Sequence, residues 1–458
     1  MPLRALALVV FLVASIPVCF FRPFYGIVLW VIIAFLNPQS FTWTAFDAFP
    51  WALSVAIPTM LGMVLFDRKL ERLLSREVAL LLILWTWFTI TTVVSINTPV
   101  FVHHATDTLE RWRFVSKILL MTVCMIPIVS SFERLRYFVL TIAACFGFYV
   151  LKAIPFIVVT KGAFRIIGPA RSMIGDNTDF GMALDMTLPM FFFLAHAETK
   201  RWLKRLLWLL FVATIPVIFF TYSRGALVGL AAVFVVMLLQ FRRWLALVPV
   251  AVLAVVIALA FAPEKWQERM DLTRPETVDG SAQSRLNAWA YARALAADYP
   301  ITGGGFATFT EELYTQYWPG RVVNIYGPHS VYFQVLAEHG YIGLGLYLLL
   351  VASCFLTTRR LHKAARRHGD NQVIQYALMF QLSLVGFLIS GLFLGRAYFD
   401  YFFTIVACIT ILDRCAKDRW MAVTKPAAVP ATISTTVGLP LSREFSLHGR
   451  LLLAPDRK

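Results

Sequence analysis

Long apolar runs separated by short polar stretches make up most of this chain. They fall near residues 5–20, 24–36, 49–66, 78–97, 113–130, 137–160, 179–197, 205–222, 224–241, 244–262, 331–357, 374–395 and 399–413. A helix that crosses a membrane needs roughly 20 apolar residues, because the hydrocarbon core is about 30 Å thick and each helical residue rises about 1.5 Å. The pattern predicts an all-α, polytopic membrane bundle of about twelve spans. The first two runs, split by Phe21-Arg22-Pro23, count as one interrupted span. The predicted organisation is a first bundle part over 1–262 with about nine helices, an outer loop over 263–330 that itself contains helices, and three further helices over 331–418. The tail over 419–458, rich in Pro, Ala, Ser and Thr after Trp420, reads as poorly ordered.

Composition agrees with the pattern and narrows it. Hydrophobic residues make up 59% of the 458 positions and charged residues 15%, with a mean hydropathy of +0.70, outside the range of soluble globular chains. The formal charge of +16 is spread over short loops. It reports topology and contact with anionic lipid rather than a nucleic-acid surface. The six cysteines sit in or beside apolar runs without CxxC spacing, so neither a disulfide framework nor a metal site is inferred. No small-residue cleavage pattern follows the first run, which reads as a retained helix.

Charge placement sets the orientation. Basic clusters at Arg68-Lys69 with Arg72 and Arg76, at Lys200-Arg201 with Lys204-Arg205, at Arg242-Arg243 and from Arg359 to Arg367 are expected in the cytoplasm, with both termini. The 263–328 loop then lies outside. Lys161, Arg165, Arg171, Arg224, Arg274, Arg285, Arg293, Arg321 and Arg396 collect on that outer face, where short loops hold few cations. A cation at membrane depth needs a partner, and an anionic ligand is one candidate.

Three stretches could carry chemistry. In TYSRGALVG, Ser223 can cap the following helix, Gly225 and Gly229 open one helix face, and Arg224 sits beside a helix N-terminus that favours anions. The alternative is a cap with a snorkelling arginine. In GSAQSRLNAWAYARALAADYP, Arg285, Trp289 and Arg293 fall at helical spacing, and Pro300 with Gly303 to Gly305 ends the segment. Arg285 is either a solvated residue or a fork that holds phosphate oxygens. In GPHSVYFQVLAEHG, Ser330 can cap a helix, and His329 at its N-terminus stays neutral near pH 7 and can accept a proton; its bland reading is a packing residue. Glu338 lies out of phase with His329 and instead marks where an outer helix turns into the bilayer. Asp176 and Asp179 read as capping residues before a span rather than as a metal pair. No P-loop or dinucleotide fingerprint occurs.

Ser223-Arg224-Gly225, Arg285 with Trp289 ahead of Pro300 to Phe306, and His329-Ser330 with Glu338 and Gly340 resemble the O-antigen ligase and polymerase superfamily in order and spacing. Asn37-Pro38-Gln39 and the 280–345 stretch look most like the exosortase-associated O-glycosylation ligases. The resemblance implies an inner-membrane glycosyltransferase that moves an undecaprenyl-diphosphate-linked glycan, without cofactor or metal, at the periplasmic face. The acceptor it implies is lipid A-core, another repeat unit or a protein. It assigns His329 as base, Arg285 and Arg224 with Arg171 as diphosphate ligands, and Ser223, Trp289, Ser330 and Glu338 as support. Where the ligases carry His-Asn, this chain has His329-Ser330. A lipid-linked glycan flippase or exporter is the rival class.

Overall fold

Two serines start helices in the same way. Ser75 Oγ accepts the Val78 amide at 3.2 Å and Ser131 Oγ accepts the Arg134 amide at 3.2 Å, each satisfying one of the donors that a helix start leaves unpaired. The computed structural model describes residues 3–42, 49–66, 70–240, 266, 275–317 and 327–424. The predicted span at 244–262, the basic pair Arg242-Arg243, Arg274, Arg321 and the tail beyond Thr424 lie outside them.

The described residues form fourteen α-helices and no strand: α1 Leu3–Phe21, α2 Pro23–Val31, α3 Trp51–Phe66, α4 Arg76–Ile96, α5 Ala105–Ile128, α6 Phe132–Val159, α7 Asn177–Ala197, α8 Arg201–Phe219, α9 Arg224–Gln240, α10 Pro275–Asp298, α11 Glu311–Tyr317, α12 Val331–His368, α13 Asn371–Ser390 and α14 Asp400–Thr424. Seven of them, α1, α4, α6, α7, α8, α12 and α13, are long and apolar enough to cross a membrane. Three shorter apolar segments, Pro23–Leu36, Trp51–Phe66 and Arg224–Gln240, accompany them. The chain is an all-α polytopic membrane protein.

Helix α7 is the axis of the bundle, buried along almost its whole length. It packs on α13, where Ser383 Oγ donates to Met186 O at 2.6 Å, and on α9, where a Cβ at Gly229 would meet Ser390 Oγ at 2.0 Å and Asp185 Oδ2 at 2.4 Å. The Gly225–Gly229 face thus does let a helix come close.

Several arginines gather at the two ends of this bundle, while Asp185 is buried midway along α7. At one end Arg76 reaches Ser353 O and Thr357 on α12, Arg360 pairs with Asp413, and Arg414 donates to the carbonyls of Ile126 and Val129. At the other end lie the start of α9 with Arg224, the start of α12 with His329, and the 391–399 connection with Arg396. Helices α10 and α11 cover this second end, around a core of Phe101, Tyr291, Leu295, Leu313 and Tyr314 that also includes Ala337.

Candidate active site

The site is built around a break in α12. Gly340 has φ +66° and ψ −170°, which interrupts the helix and releases carbonyls just before it. The glycine run takes them up: Gly304 N donates to Ala337 O and Gly305 N to Glu338 O, both at 2.9 Å, while Tyr341 N donates to Pro300 O at 2.8 Å. Backbone lies against backbone here. A Cβ at Gly340 would come within 2.3 Å of Ile301 O, and one at Gly303 (φ +62°) within 2.5 Å of Ala337 O. Only glycine fits both the dihedrals and the approach. The turn of this helix falls two residues after Glu338.

Side chains lock the break. His339 is fully buried, stacks on Phe88 at 4.1 Å and shares a hydrogen bond with Thr91 Oγ1 at 2.7 Å through Nδ1. Glu338 accepts from Tyr398 OH and from Ala307 N at 3.3 Å. Ser95 Oγ donates to Gly304 O at 2.6 Å and Thr108 Oγ1 to Phe306 O at 2.8 Å, which ties the glycine run to α4 and α5. Glu338 therefore holds the 398 and 307 segments in place.

His329 stands before α12 with φ +45°, a left-handed conformation that non-glycine residues rarely hold without support. The support is Gly395, where a Cβ would sit 2.4 Å from Pro328 Cγ and 3.2 Å from His329 N. Two residues earlier, Phe393 lies under Arg285, with the guanidinium carbon 5.7 Å from the ring centroid. Phe393 also packs on α9, 3.3 Å from where a Cβ of Gly225 would be. The elements that carry Arg224, Arg285 and His329 thus meet on one short segment, 391–395.

Each of these elements has its own anchor. Ser223 Oγ accepts the Ala226 amide at 3.2 Å and caps α9. Trp289 stacks on Phe333 at 5.1 Å and 15°, fixing α10 against α12 one turn from Arg285. Burial, and after it the Arg285 charge, hold the His329 imidazole below its ordinary pKa. A half-buried neutral imidazole beside two arginine-bearing elements is suited to take a proton near an anion.

Other expected site residues fall differently. Ser330 occupies the N-cap position of α12 with the extended backbone usual there, φ −162° and ψ 131°, but its side chain makes no capping bond; its carbonyl accepts the first bond of the helix, from Gln334 N at 2.9 Å. Arg171 (φ +59°) lines a separate cavity of about 620 Å³ together with Arg111, Lys117 and Arg396. Arg224, Arg285 and His329 are not in its lining. Arg293 is exposed. Asp176 caps α7 by accepting Thr178 N at 2.9 Å, and Asp179 pairs with Arg396. Among the described residues no group of three His, Cys, Asp or Glu side chains could hold a metal ion.

The part played by 391–395 escaped the sequence reading, which named Arg396 only as an outer-face cation and placed apolar runs up to 395 and from 399. Its signal was the pair Gly391 and Gly395 at the end of the first of these runs.

Residues 190–348 match a family model described as O-Antigen ligase, which spans the α9 start, α10, the glycine run, His329 and the α12 break. Residues 3–199 match a family of unknown function (DUF5935). No curated protein matches the chain.

Proposed function

From the place of this chain in the O-antigen ligase and polymerase superfamily, we propose that it transfers a glycan from undecaprenyl diphosphate to an acceptor hydroxyl at the periplasmic face of the inner membrane. The acceptor oxygen attacks the anomeric carbon from the side opposite the diphosphate, with inversion. The carbon–oxygen bond to the diphosphate breaks, His329 takes the acceptor proton, and undecaprenyl diphosphate departs. Arg224 and Arg285 bind the donor diphosphate and stabilise it as its negative charge grows. The transfer uses no nucleotide and no covalent intermediate.

The observation that carries this reading is the meeting of the Arg224, Arg285 and His329 elements on Phe393 and Gly395. The sorting of charge supports the sidedness, since Arg76 and Arg360, from clusters expected in the cytoplasm, and the site cations occupy opposite ends. It also favours an enzyme over an exporter, which would need charges along a path open to both sides.

The test is transfer by purified protein supplied with an undecaprenyl-diphosphate glycan and lipid A-core. Losing a general base costs about 10²- to 10⁴-fold, so His329→Ala is expected to reduce product by that factor at unchanged protein level. Full transfer by His329→Ala would refute the proposal. Product on lipid A-core marks a ligase, and longer glycan on the carrier lipid marks a polymerase.

A further inference from the structure

Residues 395–398 run beside the break in α12 as a strap, and each of them is held. Gly395 packs on Pro328 and His329. Arg396 pairs with Asp179 at the start of α7, and its N–H closes a tight turn by donating to Leu394 O at 3.1 Å. Ala397 is fixed by both of its backbone groups: its N–H donates to Gln334 Oε1 at 3.0 Å, and its carbonyl accepts from Tyr347 OH at 3.1 Å. Tyr398 OH donates to Glu338. Gln334, Glu338 and Tyr347 are all buried residues of α12.

Gln334 and Tyr347 stand on opposite sides of Gly340. A continuous helix fixes the spacing of its own residues, but the break at φ +66° and ψ −170° interrupts the hydrogen-bond ladder that would do so. One peptide unit, bonded by a residue from each half, spans that gap. Gln334 is doubly placed for this task. Its backbone N–H bonds Ser330 O, the carbonyl next to His329. Its side-chain amide bonds Ala397 N at one end and the Glu338 carboxyl at the other. The amide oxygen accepts and the NH₂ donates, so a flip of this amide would break both bonds.

The strap matters because of what leans on it. His329 at φ +45° holds a conformation that needs outside support, and Gly395 gives it. Gly395 lies outside any helix, so its own place depends on how its neighbours are tied. We propose that Gln334 and Tyr347 are positioning residues for the proposed base. By holding Ala397 they keep Gly395 against the Pro328-His329 step, and so fix where the imidazole stands. They act through the strap rather than on substrate. The effect on catalysis rests on the transfer reading; the link between strap and imidazole does not.

The test uses Gln334→Met and Tyr347→Phe in the full chain, purified in detergent. Gln334→Met keeps the side chain's length and leaves the Ala397 N–H unpaired. Tyr347→Phe removes one hydroxyl and keeps the ring stacked on Phe402 at 5.4 Å, so it is expected to fold even where the first variant does not. At equal folded concentration kcat should fall about tenfold in Gln334→Met and about threefold in Tyr347→Phe, less than the roughly 10²-fold of a full 1 Å displacement. Donor and acceptor KM should not change. A purely structural loss would multiply into any background, whereas a positioning loss would not. Gln334→Met added to Gly395→Ala should therefore cost less than the product of the two single losses, because a released strap yields to the new Cβ. Added to His329→Ala, it should cost nothing. NMR of the imidazole-labelled chain, assigned against His329→Ala, reads the position without turnover: a loosened strap leaves the ring less buried, so both variants should titrate closer to 6.5. Losses that multiply in the double variants, an unchanged His329 titration in both single variants, or wild-type kcat in both while His329→Ala is impaired would each overturn the proposal. Full transfer by His329→Ala with a shifted titration in the strap variants would instead refute the transfer reading and leave the strap standing.

Discussion

Gly395→Ala probes the geometry of the proposed base without touching its chemistry. The new Cβ would stand 2.4 Å from Pro328 Cγ and 3.2 Å from His329 N. Carbon pairs rest at about 3.5–4.0 Å, so the Pro328-His329 step must retreat by about 1 Å. Pro328 is a ring on the chain and cannot swing aside as a long side chain would. A displacement of about 1 Å at a reacting group costs on the order of 10²-fold in rate, which corresponds to about 2.7 kcal/mol of activation free energy at about 1.36 kcal/mol per decade. The expected result is a kcat near one hundredth of wild type, with donor and acceptor KM little changed. Gly345→Ala is the control, because a Cβ there meets nothing within 4 Å. The assay is transfer by purified protein at equal folded concentration, verified by thermal unfolding of both variants. Wild-type kcat in a folded Gly395→Ala protein would mean that the position of His329 does not govern the chemical step.

Two further outcomes follow from the same geometry. The His329 imidazole is held below its ordinary value of 6.5, and in the proposed mechanism its neutral form is the base; activity is then expected to be retained down to a lower pH than a free imidazole would allow, and to be lost as pH falls through the folded pKa. Arg285→Gln removes one cause of the depression, so the acid limb of the kcat/KM profile, which reports the free enzyme, is expected to move to higher pH; an unmoved limb would separate the two residues. Gly340→Ala forces a side chain into φ +66°, ψ −170°, a region essentially reserved for glycine that costs about 1–3 kcal/mol, and adds a 2.3 Å clash with Ile301 O. Its expected effect is a clear drop in unfolding temperature relative to Gly345→Ala, with transfer reduced in proportion to the folded fraction.

Much of this arrangement was legible locally. Apolar runs give helices because hydropathy alone decides insertion, and Ser223 caps α9 because a cap needs only the next few amides. The spacing of Gly225 and Gly229 and the turn of α12 near Glu338 were likewise visible in short windows. Relations across the chain were not. Asp179 and Arg396 are 217 positions apart, and nothing in DNTDF or GRAYF names the other. The same limit hides the tie that holds the Arg171 loop, which Asn37 makes to Ala170 O across 133 positions. The role of the glycine run was also hidden: its sequence announces a turn, but only the packed structure shows it receiving the carbonyls freed at Gly340.

The segment from Gly391 to Asp400 is a party wall. One side carries Phe393 and Gly395, on which Arg285, the start of α9 and the Pro328-His329 step pack, and the other presents Arg396 and Asp400 to the cavity lined by Arg171. Neither compartment can be refitted alone. A chimera that imports residues 3–199 from a relative inherits a cavity missing two of its own stones, and a graft that carries 391–400 along restores the mortar on both sides.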